Sequence, residues 1–291
     1  MTENRKKLLR EGYTLDHIIS GKLNIKSLPV SENRPLNDDL EDTEEEKLFK
    51  QLQFFETARL TAIAVSQGIS KSLIIAGSAG IGKSHGIEST LDPKTTFYVH
   101  GNVSPLGLYK ILYEYKQKEY TIIFDDSDSI LHNEASLGIL KHALDSKPSR
   151  LISWSSNTVI KDSLGNIMDN SFIFWANIIF LSNLDLSGIV RKKTKLSVHI
   201  EALISRCLYI DFFALFKTPN DYMVRINYLK DSIYQNENID ATGQYLINNF
   251  INANYLCLRE LSLRLVVKLG QIYKFTGETG FYGAALILTG K

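Results

Sequence analysis

The run Gly77-Ser-Ala-Gly80-Ile-Gly82-Lys83-Ser84 carries the residue types that can hold a polyphosphate. It follows the apolar stretch Leu73-Ile-Ile-Ala76, so a strand should lead into the loop and a helix out of it. That is the context a G-x-x-x-x-G-K-[ST] pattern needs to act as a phosphate loop. Gly77, Gly80 and Gly82 let the backbone wrap close, with successive N–H groups turned inward. The helix that follows adds the positive end of its dipole. Lys83 can reach β- and γ-phosphates, and the Ser84 hydroxyl can ligate Mg²⁺. Gly77, Ser78, Ala79, Gly80, Ile81, Gly82, Lys83 and Ser84 are thus the expected nucleotide-binding residues, with ATP and Mg²⁺ as ligands. A glycine-rich turn that matches by accident is the alternative.

Further along, Thr121-Ile-Ile-Phe124 ends in two carboxylates, Asp125 and Asp126. A strand buried on both faces delivers such acids at its C-terminal edge, beside the phosphate loop. Asp125 would hold Mg²⁺ and Asp126 would polarise an attacking water. Ile178-Ile-Phe-Leu-Ser-Asn183 is another buried strand with a polar side chain at its exit. The Asn183 amide could bond a water or a phosphate without adding charge, or be an ordinary turn residue. Arg206, in Leu203-Ile-Ser-Arg206-Cys, and Arg264, in Leu261-Ser-Leu-Arg264-Leu, are each flanked by leucines. Such arginines are commonly snorkelling surface residues, but guanidinium groups also partner phosphates whose charge grows during transfer.

The elements that must position these residues alternate. A helix is expected from about Thr43 to Gly68, with Leu48, Leu52, Phe55, Ala58, Ala62 and Val65 as its apolar stripe. Strands follow at Leu73–Ala76, Thr96–Val99, Thr121–Phe124, Leu151–Ser153, Phe172–Phe174, Ile178–Ser182 and Leu208–Ile210. Helices open at Lys83, at Pro105 after the N-cap Ser104 (running to about Lys118), and at Asn133 (running to about Ser146). This alternation predicts an α/β fold with a mainly parallel sheet covered on both faces. After Thr218-Pro219 the pattern is helical to the end.

With these motifs in this order, the chain resembles the AAA+ ATPase family from about residue 45 onward. Gly77–Ser84 looks like Walker A, Asp125-Asp126 like Walker B, Asn183 like sensor 1, Arg206 like the arginine finger and Arg264 like sensor 2, with Arg259 competing for that last role. The resemblance implies ATP hydrolysis, with Asp126, Asn183, Arg206 and Arg264 as catalytic residues and Ser84 and Asp125 as metal ligands. It implies a parallel five-stranded sheet of order 5-1-4-3-2 and a C-terminal α-helical lid. It also implies a ring or spiral of subunits whose finger acts in trans. The domains would be an extension at 1–43, a nucleotide-binding domain at 44–217 and a lid at 218–291. Phrasing such as Phe124-Asp-Asp-Ser-Asp-Ser-Ile130 is similar to AAA proteins of tailed bacteriophages.

The chain departs from that family in three places. Asp126 stands where most members have glutamate, so the attacking water is held less well and hydrolysis should be slow or partner-dependent. Segment 151–175 is longer than usual and suggests an inserted β-hairpin with Lys161 near its tip; an extended loop packed by Trp154 and Trp175 is the alternative. His100-Gly101-Asn102-Val103-Ser104 lacks the aromatic residue of protein-threading members.

Arg191, Lys192, Lys193 and Lys195, with Lys141, His142, Lys147 and Arg150, could contact DNA phosphates or form a solvated charged loop. A DNA motor or loader in phage DNA metabolism and a slow, nucleotide-controlled assembly switch that recruits a protein partner are the two functional readings. Composition limits the rest. The 291 residues carry a formal net charge of +1, which excludes a globally basic nucleic-acid binder. Two cysteines, Cys207 and Cys257, exclude a disulfide framework or a cysteine zinc site. A charged N-terminus without an apolar core, and an apolar stretch at 172–190 broken by Asn177, Asn183 and Asp185, point to a cytoplasmic protein without membrane contact.

Overall fold

The computed structural model describes residues 42–155, 159–162 and 165–290. The expected extension at 1–43 lies outside them except for its last two residues, and Thr43–Lys291 form one compact unit. Helix α1 (Glu44–Ser66) opens with a capping box between Thr43 and Glu46, which satisfies free N–H groups, and an acidic first turn, which complements the helix dipole. It stops before Gly68, whose φ of 75° a side chain would disfavour.

Strand β1 (Ser72–Ala76), helix α2 (Lys83–Glu88), strand β2 (Thr96–His100), helix α3 (Pro105–Glu114) and strand β3 (Thr121–Asp125) follow. Next come helix α4 (Glu134–Ala143), strands β4 (Arg150–Ser153), β5 (Ser171–Phe174) and β6 (Asn177–Ser182), helices α5 (Leu186–Arg191) and α6 (Lys195–Ile204), and strand β7 (Leu208–Asp211). The main sheet has order β2-β3-β6-β1-β7 with every pair parallel. Counting parallel strands alone and starting from β7, this is the expected 5-1-4-3-2 order.

Residue parity explains how the sheet is covered. Ile74, Ala76, Ile122, Phe124, Ile178 and Phe180 share a core with Leu108, Leu112, Leu137 and Leu140 of α3 and α4. Their strand neighbours Leu73, Ile75, Ile123, Ile179 and Leu181 face Ala58, Ala62 and Val65 of α1 together with Phe212. Strands buried on both faces read as unbroken apolar runs, which is why β1, β3 and β6 were recognisable. Each such Leu, Ile or Phe contributes about 1.5–3 kcal/mol by leaving water.

Strands β4 and β5 stand apart as an antiparallel hairpin, extended by pairing between Lys161 and Ile167. Lys161 precedes the turn in which Asp162 accepts from Asn166 N–H; Leu164 lies outside the described residues. The hairpin packs inward through Ile152, Ile160, Met168, Phe172 and Phe174, while Leu151, Ile173 and Trp175 are exposed. Of the two tryptophans only Trp154 packs inward, beside Tyr109. Helix α3 ends at Glu114, short of the expected Lys118. The carbonyl of Lys116 instead accepts from Trp175 and Ala176 N–H at 2.8 and 3.2 Å, which fixes the base of the hairpin.

The C-terminal region is helical: α7 (Pro219–Asn236), α8 (Ala241–Asn254) and α9 (Leu263–Thr289), with α9 kinked at Gly277. Their own core includes Tyr234, Ile247, Phe250, Leu265, Leu269 and Phe281. Among the described residues no helix is long and apolar enough to cross a membrane.

Candidate functional site

The loop from Gly77 to Ser84 joins β1 to α2 at the C-terminal edge of the sheet. Gly80 and Gly82 have φ of 74° and 98°, values that favour glycine, and a Cβ on Gly80 would lie 2.7 Å from Ser262. Lys83 is buried, and its ammonium donates to Gly77 O (2.6 Å), Ser78 O (2.8 Å) and Asn183 Oδ1 (3.0 Å). Burial pulls its pKa down to about 8, opposed by Asp125, Asp126 and Asp128 and aided by Arg264. Lys83 therefore sits with three carboxylates around it and its donors on groups that a phosphate could replace.

Asp125 ends β3 buried, with His100 Nδ1 4.0 Å from its carboxylate. Asp126 is exposed and left-handed, at φ 52°, an uncommon conformation for a residue with a side chain. Asn183, just past β6, donates from its amide nitrogen to Asp126 Oδ1 while its amide oxygen accepts from Lys83. One asparagine thus links the lysine to the candidate base. Asp128 holds that asparagine, accepting from Asn183 N–H at 3.1 Å and from the Ser182 hydroxyl at 2.6 Å. Sequence reading passed over Asp128, whose only signal was a further acid in the turn after Asp126.

The helical region meets the loop directly. Leu263 N–H donates to Gly80 O at 2.9 Å, which brings Arg264, in the first turn of α9, near enough to Lys83 to depress it. Arg259 lies elsewhere: its guanidinium donates to the carbonyls of Ile287, Leu288 and Gly290 at the end of α9. Of the two candidates, Arg264 is the one beside the loop. From α7, the Tyr222 hydroxyl bonds the Ser78 hydroxyl at 2.7 Å and Arg225 Nε donates to Ile81 O at 3.4 Å. Neither residue stood out in the sequence, because an amphipathic stripe does not say what its inner face will touch.

Arg206 is not brought to this site. It is exposed, its guanidinium donates to Ala202 O, and its carbonyl accepts from Ser72 at the start of β1. The loop lies at the other end of β1, about 15 Å away at the usual rise per residue. Arg191, Lys192, Lys193 and Lys195 are exposed at the α5–α6 junction, with Arg191 3.3 Å from Asp185. Arg150 does not belong with the basic surface residues. It is buried against Phe174, with its guanidinium on the carbonyls of Ala143 and Ala176, and burial pulls it down to about 10. It ties the hairpin to α4.

The donor set suits a magnesium nucleotide. The loop offers N–H groups and a buried ammonium to phosphates, and the half-buried Ser84 hydroxyl and Asp125 carboxylate lie at the same sheet edge. Among the described residues no cluster of three or more His, Cys, Asp or Glu side chains could hold a metal unaided. Mg²⁺ tolerates such a sparse set because it keeps several water and phosphate ligands.

No protein-family model matches the chain. It is 27% identical over 235 residues to the uncharacterized 36.7 kDa protein of the nrdC-mobD intergenic region of enterobacteria phage T4, covering 78% of this chain and 70% of that protein. Among solved structures it is similar to Thermotoga maritima RuvB, a Holliday junction branch migration motor, at 12% identity and a TM-score of 0.46, covering 82% of this chain and 69% of RuvB. It is also similar to Brucella abortus NtrX in complex with ATP, at 13% identity and a TM-score of 0.41, covering 81% of this chain and 55% of NtrX.

Proposed function

We propose that the chain is an AAA+ ATPase that binds and hydrolyses Mg-ATP in an oligomeric ring or spiral. The observation that carries this reading is convergence: Gly77–Ser84, Asp125, Asp126, Asn183 and Arg264 come from β1, β3, β6 and α9 to one sheet edge. Backbone N–H groups of the loop and Lys83 bind the phosphates. Ser84 and Asp125 hold the metal, which neutralises phosphate charge when bound. Asp126 orients the attacking water and Asn183 aligns Asp126 with the phosphate end of Lys83. Arg264 faces the nucleotide from the lid. Arg206 lies too far along β1 to serve its own site, so it acts on a neighbouring subunit.

The substrate reading is a motor or loader in phage DNA metabolism. It is supported by the exposed basic junction at Arg191, Lys192, Lys193 and Lys195, and by the likeness to a phage T4 protein. The second reading is a slow assembly switch that recruits a protein partner. It is favoured by Asp126, whose short carboxylate is already engaged by the Asn183 amide and is less free to hold water. Steady-state ATP hydrolysis, with and without single- and double-stranded DNA and at several protein concentrations, separates the two. Stimulation by DNA that rises with concentration and is lost in Arg206→Ala is the motor's expected result. Slow turnover indifferent to DNA would overturn the motor and leave the switch, and absence of turnover with or without DNA would overturn hydrolysis itself.

A further inference from the structure

Arg225 is a buried cation that the site just described does not use. Only 8% of the residue is exposed, so its head does not snorkel to water. Its guanidinium lies over the ring of Phe55, 3.7 Å from the centroid. Among the described residues its one hydrogen bond is the long 3.4 Å contact to Ile81 O. Among the described residues no carboxylate pairs with it. Burial lowers its pKa to about 10, so it is charged at neutral pH. Among the described residues this buried charge is met by a ring face, a distant carbonyl and the nearby Tyr228 phenol, none of them a counter-ion, and folds usually pair such a group or leave it exposed.

The place of this charge is specific. One guanidinium nitrogen lies 3.6 Å from where a Cβ on Gly82 would stand, inside the phosphate loop. Tyr222, three residues earlier on the same face of α7, bonds Ser78 of the same loop. The face of α7 that meets the loop thus carries a hydroxyl and a guanidinium, and Arg264 approaches separately from α9. Guanidinium groups bind phosphates through paired donors, and stacking on an aromatic ring holds the plane ready without engaging those donors.

We propose that Arg225 is a phosphate-contacting residue of the nucleotide site, held on Phe55 until a polyphosphate engages its guanidinium. The proposal rests on the reading that Gly77–Ser84 binds nucleotide. It assigns to α7 a contact with the part of the nucleotide that ADP and ATP share, because Arg225 meets the loop at Ile81 and Gly82 whereas Arg264 is the arginine that acts on Lys83.

The test uses the full chain with Arg225→Met, which keeps the volume and removes the charge, and Arg225→Lys, which keeps the charge and loses the fork. Dissociation constants for ADP and ATP are measured by calorimetry, and the melting temperature is measured with and without pyrophosphate. Arg225→Met is expected to weaken ADP and ATP by a similar factor of about tenfold or more. It should also lose most of the pyrophosphate-induced stabilisation, while the ligand-free protein melts no lower than wild type. Arg225→Lys is expected to lose affinity by a few fold, and it carries the test if the methionine variant does not fold. Binding of ADP within twofold of wild type by either folded variant would overturn the role of Arg225. A wild-type protein that binds neither ADP nor pyrophosphate would overturn the nucleotide reading as well, a result distinct from normal binding by the variants.

Discussion

At the scale of single residues, the proposed chemistry hangs on Asn183, and the structure shows what holds Asn183. Its amide bridges Lys83 and Asp126, and its backbone N–H is fixed by Asp128. Asp128 touches neither the loop nor any reacting atom on the proposed reading, so it is a positioning residue. On the same reading Arg225 and Arg264 approach the phosphates, whereas Asp128 keeps the asparagine in register and adds to the negative field around Lys83. Replacing Asp128 with alanine releases Ser182 and the Asn183 backbone and lets the amide drift. A displacement of about 1 Å in such a group lowers turnover by as much as a hundredfold. Asp128→Ala is therefore expected to reduce kcat by about ten- to a hundredfold while the ADP dissociation constant moves less than about threefold. Single-turnover hydrolysis beside equilibrium ADP binding checks this, and a variant that loses binding and turnover together would make Asp128 part of the loop's support instead.

At the scale of elements, what was legible in the sequence was whatever a local pattern dictates. The runs at β1, β3 and β6 are buried on both faces, so their composition reveals them, and the polar residues at their ends mark the site edge. Thr43 and Glu46 announce the start of α1 for a similarly local reason. The end of α3 was not legible, because Lys116 is used by a segment about sixty residues further on, and no local propensity records that contact. Arg150, Asp128 and Arg225 escaped for the same reason: each is defined by distant partners. The contact between α1 and α7 belongs here too. Asp221 accepts from Thr218 N–H and hydroxyl, from Lys217 N–H, and pairs with Lys47 of α1 at 3.2 Å, while its carbonyl accepts from Gln51 at 2.7 Å. Burial alone would raise this carboxyl, but the hydrogen bonds from Thr218, Lys47 and Lys217 outweigh it and hold the pKa below its ordinary value. A depressed folded-state pKa means stability that is present above the unfolded value and lost as pH falls through the folded one. Asp221→Ala is expected to cost about 2–3 kcal/mol near neutrality, from the cap and the paired Lys47 together. In urea unfolding, that gap between variant and wild type should close as the pH falls below the ordinary carboxylate range. A gap independent of pH would mean that Asp221 acts through packing alone.

At the scale of the whole molecule, the question is whether one chain contains a complete site. The loop, the carboxylates, Asn183 and Arg264 meet at one edge of the sheet, and Arg206 stands at the opposite end of β1. Among the described residues the exposed Arg206 guanidinium engages a carbonyl of the preceding helix α6, which gives it little to do within its own subunit. If subunits pack head to tail, that end of one sheet faces the loop edge of the next, and a heterologous interface of this kind closes into a ring or runs on as a spiral. Two inactive variants can then repair each other. Asp126→Asn keeps the finger and disables its own site, while Arg206→Ala keeps the site and lacks a finger. In a random equimolar mixture, half the subunits retain Asp126 and half of their neighbours supply Arg206, so about a quarter of the sites should turn over. Hydrolysis in the mixture should rise toward a quarter of the wild-type rate, well above the sum of the two variants alone. A mixture no faster than that sum would place Arg206 outside catalysis, and the proposed reading would then have to complete the site from within a single chain.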